Sequence, residues 1–453
     1  MERPQQRSTA HQHSQQCPHQ RLPTGEGNQI SMQFFFPDSQ DLVDPSFDFL
    51  TEKRSDTRVR QRDDLYAHEV CKKIPYDGML VSKAIVEGTG QSTGRYTLGQ
   101  QRRFSVSGVK EFLRVPDSMK VMGDCGAFTY VKEDIPPVTV EEVTRFYQDA
   151  GFDYGASIDH VILDYNPSWD HNLPGTETVP EKCLKRLDIT IELARDFKQY
   201  CKKERVTFEP LGVAQGWSPS SYARSLSALQ KMGYRYIALG GLVPLKTTEI
   251  ISILNSCYDR LRSDTRLHLF GVTRLSHIPE FKSMGVVSFD STSPLRQAFK
   301  EDKGNYYSRI KDDFGNEKSY TAIRVPQVDV NIQLKNRILS GKVKQNEAFR
   351  LERECLDSLR AYDKKPYRRK ELIQLLVDYQ SLFGNLRNYA LEYEEVLRDQ
   401  PWKQCNCEVC KTLGINVVIF RGAERNRRRG FHNVHVTYER LKVANRRKVP
   451  TSV

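Results

Sequence analysis

The sequence predicts an α/β fold, a (β/α)8 TIM barrel with a helical insertion and a C-terminal zinc-binding subdomain. Two observations carry the barrel. From Met32 to about Lys300, short apolar runs rich in strand formers alternate with longer amphipathic stretches. The runs are almost continuously apolar, as strands covered on both faces must be. Repeated strand–helix alternation builds a parallel sheet under helices. Seven or more such units in about 270 residues suit a closed barrel better than an open sheet.

The elements follow in order. The strand runs are "GMLVSKAIV" from Gly78, "KVMGDCGAF" from Lys120, "DHVILDY" from Asp159, "VTFEPLGVAQG" from Val206, "YRYIALGG" from Tyr234, "LHLFGVT" from Leu267 and "VVSFDST" from Val286. Thr139 and Glu142 form a capping box before "EVTRFYQDAG", because the hydroxyl and the carboxylate can each take a free N–H of the first turn. Pro180 opens an amphipathic stretch toward Lys203, and Pro219 occupies the first turn of "SPSSYARSLSALQKMG", where a missing N–H costs nothing. The domains expected are a disordered polar tail over 1–31, the barrel over 32–330, a helical insertion over 331–400 and a zinc-binding basic subdomain over 401–453. Residues 1–31 have almost no aliphatic side chains to offset the entropy of ordering. "SYTAIRVPQVDVN" is expected to close the barrel. "AFRLERECLDSLRAYDKK" and "RRKELIQLLVDYQSLFGNLRNYALEYEEVL" read as helices, with Leu372, Leu376, Tyr379 and Phe383 on one apolar face.

Composition narrows the class. Of 453 residues, 38% are hydrophobic, enough for a large core. No apolar run reaches the roughly 18 to 20 residues of a membrane span, and the first thirty residues lack a signal-peptide core, so a cytoplasmic location is expected. Seven of the ten cysteines are scattered, which argues against a disulfide scaffold. The net charge is +12, and ten Lys or Arg against Glu424 and Glu439 fall between Arg421 and Lys448. That excess predicts contact with a polyanion, with Arg427, Arg428 and Arg429 as candidate contacts.

In a barrel of this kind the chemistry sits at the C-terminal ends of the strands. Asp124, Asp164, Gln215, Gly240, Gly241 and Asp290 all follow apolar runs there, whereas Asp159 opens its run and is expected at the far end unless the strand starts earlier. An Asp after a strand also caps helices and Gly-Gly also makes turns. Two carboxylates at one mouth suit glycosidic chemistry: one attacks the anomeric carbon while the other handles the proton of the leaving group. Near the C-terminus Cys405, Cys407 and Cys410 are close enough for three thiolates to converge on a tetrahedral zinc, with His432 or His435 as fourth ligand. Four protein ligands leave no open position, so such a zinc is structural.

Asp124-Cys125-Gly126-Ala127-Phe128, Gly212-Val213-Ala214-Gln215-Gly216, Leu239-Gly240-Gly241-Leu242, Phe289-Asp290 with Pro294 and Arg296, and the three cysteines with His432-Asn433 occur in an order that resembles the tRNA-guanine transglycosylase superfamily. The resemblance implies Asp290 as nucleophile and Asp124 as general acid/base in a ping-pong base exchange. It implies Asp164, Gln215, Gly240, Gly241 and Leu242 at the edge of a purine-like base, Phe128 on its face, Arg296 on the nucleic acid, and His432 rather than His435 on the zinc. Where the tRNA enzymes read Ser-Gly-Gly-Phe-Gln, this chain has Cys125-Gly126-Ala127-Phe128-Thr129, so the glutamine contact is missing or supplied elsewhere. "MQFFFPDSQDLVDPSFDF", "RVRQRDDLYAHEV" and "PYDGMLVSKAIV" are similar to the DNA-modifying branch, which inserts 7-cyano-7-deazaguanine. DNA is therefore the expected partner, tRNA the alternative substrate, and a non-catalytic zinc-containing nucleic-acid-binding protein the reading from another class. Proteins that deliver the DNA are compatible with the sequence.

Overall fold

The computed structural model describes residues 31–447 apart from 91, 172–176, 312–316 and 385–386. The tail expected to be disordered lies outside these but for its last residue. Eight parallel strands close a barrel: β1 Gln33–Pro37, β2 Gly78–Ser82, β3 Lys120–Asp124, β4 Tyr154–Ala156, β5 Glu209–Ala214, β6 Tyr236–Leu239, β7 Arg266–Leu269 and β8 Val286–Asp290. Each strand lies beside its neighbour in sequence, and β1 pairs with both β2 and β8, setting Phe35 opposite Asp290 and, on β2 and β3, Ser82 opposite Asp124.

Two expectations about strands need correction. The eighth strand is the Gln33–Pro37 run, which was not among the seven, and "DHVILDY" is not a strand. The strand at this position is the earlier, three-residue β4. Beyond it the chain leaves the ladder: the His160 N–H goes to Thr190 Oγ1 at 3.0 Å and the Ile162 N–H to Gln215 Oε1 at 3.2 Å, so side chains do the work of a neighbouring strand. Asp159 therefore lies past a strand end, not before a strand start.

Helices α1 Leu98–Leu113, α2 Val140–Asp149, α3 Glu181–Glu204, α4 Pro219–Lys231, α5 Thr247–Tyr258, α6 Ile278–Ser283 and α7 Ser293–Lys300 surround the barrel. The α2 cap forms as the sequence requires, with Thr139 Oγ1 accepting from Glu142 N at 3.2 Å and Glu142 Oε2 from Thr139 N at 2.8 Å. One α2 side chain sets how close helix and sheet come: a Cβ on Gly123 or Gly155 would lie 2.3 or 2.4 Å from the Tyr147 ring. Inside the barrel Phe35, Leu80, Met122, Leu211, Val213 and Tyr236 form a second apolar core, which fills the lumen below the mouth.

The segment expected to close the barrel does something else. Its first two residues end β10 Glu317–Tyr320, which pairs antiparallel with β9 Tyr306–Lys311, and its Ile323–Arg324 pairs parallel with Ile419–Phe420, all outside the barrel. Then come α8 Gln345–Lys364, α9 Arg369–Ser381, α10 Ala390–Asp399, α11 Glu408–Leu413 and the long α12 Gly422–Arg446. Leu372, Leu376, Tyr379 and Phe383 are buried together. Helix α12 packs along α7, the helix that leaves β8. The described residues after Ser31 belong to one compact unit, and among them no helix is long and apolar enough to cross a membrane.

Candidate active site

A cavity of about 600 Å³ opens at the C-terminal mouth of the barrel, lined among others by Asp38, Asp124, Asp159, Gln215 and Asp290. Four strand ends thus converge four carboxylates on one space. Asp290 ends β8 and is 8% exposed. Its Oδ1 accepts from the Gly271 N–H at 3.0 Å and from His268 Nε2 at 3.2 Å. Asp124 ends β3. Burial, then the charges of Asp159 and Asp290, push its carboxyl up to about 7, against which hydrogen bonding from Gly126 acts only in part. Such a carboxyl holds its proton near neutrality and can give it away, which is what a general acid needs.

The sign of that shift makes a prediction about stability. The folded pKa lies above the unfolded value of 3.8, so ionising Asp124 costs more in the folded chain. The penalty is absent below 3.8, grows as pH rises through the window, and is complete above about 7. Asp124→Asn is therefore expected to be more stable than the parent at pH 8, by on the order of 4 kcal/mol, with the gain shrinking toward pH 4. Melting curves across that range check it; a gain independent of pH would contradict the assignment.

Asp159 and Gln215 form the floor. Gln215 Nε2 donates to Asp159 Oδ2 at 2.6 Å while its Oε1 takes the Ile162 N–H, so the amide is fixed in one orientation. Cys125 Sγ donates to Asp159 Oδ1 at 3.5 Å. Burial raises Asp159 to about 6 despite the Gln215 bond. Gly240 makes the arrangement feasible, because a Cβ there would stand 2.2 Å from Gln215 Nε2. Gly241 lines the same wall at φ +74, a left-handed conformation that favours glycine. Phe128 lines the cavity with 51% of its surface exposed. The Leu242 side chain is buried in the outer core.

Asp164, expected at this wall, is not there. It lies outside the cavity with its side chain 41% exposed, paired with Lys182 at 2.8 Å. The stretch past Asp159 carries it away from the mouth, and Asp159, expected at the far end of the barrel, stands at the cavity instead. The sequence reading also missed Asp38, at the end of the unrecognised β1. Burial holds Asp38 at about 6 against the Tyr96 hydroxyl, which donates to it at 2.8 Å. An apolar run followed by Asp, "FFFPD", was the available signal.

The basic C-terminal stretch also needs correction. Arg428 and Arg429 are buried, as are Arg421 and Arg425. In α12 and its cap they recur at helical spacing on the face that carries His432, so charge on this helix points inward. Arg428 binds Glu424 and the Asp44 carbonyl, Arg429 the carbonyls of Val417, Ile419 and Ala298, and Arg421 and Arg425 share Glu52. None of these four can face a phosphate. Arg427 keeps 30% of its side chain exposed, and Arg296 is exposed at the cavity rim. A second hollow of about 880 Å³ shares Ser293 and Gln297 with the first and is edged by Arg274, Arg309, Lys311, Arg440 and Arg447 together with Glu317 and Glu439, of which Glu317 pairs with Arg440 at 2.7 Å. Its exposed basic residues are Arg309, Lys311 and Arg447, and it adjoins the mouth where the two hollows share Ser293 and Gln297.

Cys405, Cys407, Cys410 and His432 come together with their ligand atoms within 4.8 Å of one another. The His432 Nε2 donates to the Tyr307 carbonyl at 2.7 Å, which turns Nδ1 to the sulfurs at 3.3 to 3.6 Å. Tyr306 stacks on the same ring at 4.1 Å. Three buried or half-buried sulfurs around one ring nitrogen, whose second nitrogen is held by a carbonyl, is a donor set that could hold a metal ion. His435 stands outside this cluster.

A family model described as queuine tRNA-ribosyltransferase (TGT) matches residues 97–442. The chain belongs to that family. The DNA-guanine transglycosylase of Salmonella montevideo is 46% identical over 416 residues, covering 90% of this chain and 96% of that protein. The queuine tRNA-ribosyltransferase of Xylella fastidiosa (strain M12) is 30% identical over 158 residues, 34% of this chain and 38% of that protein. That of Pseudoalteromonas translucida (strain TAC 125) is 34% identical over 89 residues, 19% of this chain and 24% of that protein. Membership of the TGT family makes the chain a transglycosylase, a pentosyl-transferring enzyme on a barrel scaffold.

Proposed function

We propose that this protein exchanges guanine in DNA for a 7-deazaguanine, 7-cyano-7-deazaguanine in the first instance. The observation that carries the reading is the pairing of Asp290 and Asp124 at one mouth above the fixed Asp159–Gln215 floor. Near-full-length similarity to a DNA-guanine transglycosylase, against partial similarity to tRNA enzymes, favours DNA over tRNA.

In the first half-reaction an Asp290 carboxylate oxygen bonds to C1′ of the target nucleotide as the C1′–N9 bond breaks. The bonding pair leaves with guanine, and the Asp124 proton neutralises it. In the second, the incoming base gives a proton to Asp124, its nitrogen bonds to C1′, and the Asp290 ester bond breaks to restore the carboxylate. Asp159, Gln215 and the Gly240–Gly241–Leu242 backbone read the edge of the base, and Phe128 covers its face. A heterocycle lacking the matching groups would leave these buried polar atoms unpaired, which is the source of selectivity. Guanine must leave its stack to enter, with Arg296 and the basic groove on the backbone.

Zinc is the metal proposed for Cys405, Cys407, Cys410 and His432, where it would supply a cross-link between the 405–410 segment and α12. The base exchange needs no step at the metal.

The deciding experiment incubates purified protein with DNA and, separately, with tRNA in the presence of 7-cyano-7-deazaguanine, followed by mass analysis of nucleosides. Modified deoxynucleoside is expected; modification of tRNA alone would overturn the DNA assignment, and none on either would overturn the enzyme. Gly240→Ala tests the floor. Its Cβ must displace Gln215 from Asp159, so KM for the base is expected to rise about tenfold, the equivalent of one lost hydrogen bond, measured by steady-state exchange.

A further inference from the structure

We infer that His268 is a positioning residue for Asp290: it holds Oδ1 of the carboxylate so that Oδ2 is the atom delivered to the sugar. The inference rests on the proposed role of Asp290 as nucleophile and goes beyond it, since neither the motif resemblance nor the chemistry of paired carboxylates calls for a histidine.

His268 lies on β7 beside β8, and its ring is fully buried. It is boxed by Phe270 at 4.9 Å, Phe35 at 6.0 Å and Tyr236 at 6.4 Å. A phenylalanine would fill this apolar space without the cost of burying two ring nitrogens. Both nitrogens are used. Nε2 lies 3.2 Å from Asp290 Oδ1 and Nδ1 lies 2.6 Å from Ser288 Oγ, which in turn meets the Tyr236 hydroxyl.

The acceptor-only carboxylate fixes the direction of the first bond. Nε2 carries a proton and donates it to Oδ1. Nδ1 is held by the Ser288 hydroxyl, which meets the Tyr236 hydroxyl. Tyr236, Ser288, His268 and Asp290 are thereby linked in one chain of hydrogen bonds that ends at the reactive group.

The Gly271 N–H reaches the same oxygen at 3.0 Å. Among the described residues, both bonds to Asp290 fall on Oδ1, so the carboxylate plane is set and Oδ2 faces the cavity. When Oδ2 bonds to C1′ and the guanine bond breaks, Oδ1 becomes the carbonyl oxygen of the glycosyl ester and keeps both N–H donors. When the incoming base nitrogen attacks C1′, the C1′–Oδ2 bonding pair returns to the carboxylate, and the same two donors receive the restored charge. His268 therefore acts in both halves without touching the substrate.

The test uses full-length protein, DNA and labelled guanine, with 7-cyano-7-deazaguanine as second base. His268→Leu is expected to lower kcat about 100-fold, the scale of one lost donor to a charge-bearing oxygen, with KM for the base changed less than threefold. His268→Gln, which keeps an N–H donor at similar reach, is expected to recover at least tenfold of that loss. Single-turnover formation of the covalent protein–DNA adduct should follow kcat through the series. Should His268→Leu not fold, Ser288→Ala removes the other partner of the ring, and a fivefold fall in kcat is expected. A kcat within threefold of the parent in His268→Leu, or His268→Gln no better than His268→Leu, overturns the inference and reduces the ring to packing. A parent protein that forms neither exchange product nor adduct overturns the nucleophile reading, and this inference with it.

Discussion

Asp290→Ala is expected to abolish base exchange and capture of a covalent DNA adduct while leaving the fold intact. The proposed first half-reaction has no bond to make without this carboxylate, so the loss should reach at least the 10⁴-fold scale seen when nucleophiles are removed from other enzymes, roughly 5 to 6 kcal/mol in the barrier. Structure should hardly notice. The carboxylate accepts only from Gly271 N and His268 Nε2 among the described residues, and the cavity beside them is open to water, which can take over both donors. One change elsewhere is expected. Asp290 is among the charges that raise Asp124, so its removal should bring the Asp124 titration down from about 7. Exchange assays, adduct gels and a melting curve on one preparation suffice: an Asp290→Ala variant that still exchanges guanine would end the assignment, whereas one that simply unfolds would show that this carboxylate also holds the mouth together.

What the sequence could reveal depended on whether a residue's role followed from local pattern. The barrel was legible because apolar runs and amphipathic stretches alternate, and Asp124, Gln215, Gly240 and Asp290 were legible because each ends such a run. Asp159 was not, since β4 is three residues of Tyr154-Gly155-Ala156, too short and too rich in small side chains to register, while the more apolar stretch after it leaves the sheet. The arginines of α12 misled for a different reason. A run of positive charge normally faces solvent, and only the three-dimensional placement of Glu52, Glu352 and Glu424 reveals that the helix turns its charge inward. Nor could the groove edged by Arg274, Arg309, Lys311, Arg440 and Arg447 be read from the chain, because its basic residues are drawn from three separate segments of the sequence that only the fold brings together. The His268 relay belongs to the same class: "LHLFGVT" gives an inward histidine, and only β8 beside it supplies Ser288 and Asp290.

Loss of one of the proposed zinc ligands Cys405, Cys407, Cys410 and His432 is expected to be the largest single blow to stability. Zinc bound only by the folded chain adds its binding free energy to folding, and in zinc-finger peptides that amounts to about 10 to 16 kcal/mol. A 453-residue chain with its own core needs the metal less, so a loss of on the order of 4 kcal/mol is the reasonable expectation for Cys407→Ala. The position of the site says how that loss would spread. His432 is tied through Nε2 to Tyr307, the next residue, Asn433, accepts from the Tyr307 N–H at 2.9 Å, and the Asn433 amide donates to Pro294 O at 3.1 Å on α7. Helix α7 follows directly on β8 and carries Arg296, so slack at the cysteines reaches the mouth through two residues of α12. Cys407→Ala is thus expected to lose metal, melt lower at a fixed scan rate and bind DNA more weakly, while chemistry on DNA that does bind slows less than in Asp290→Ala. Metal content by mass spectrometry beside melting and binding curves checks this. A parent protein that carries no metal, or one whose melting is untouched by prolonged chelation, would leave the four residues as a packed cluster and the zinc proposal would fall.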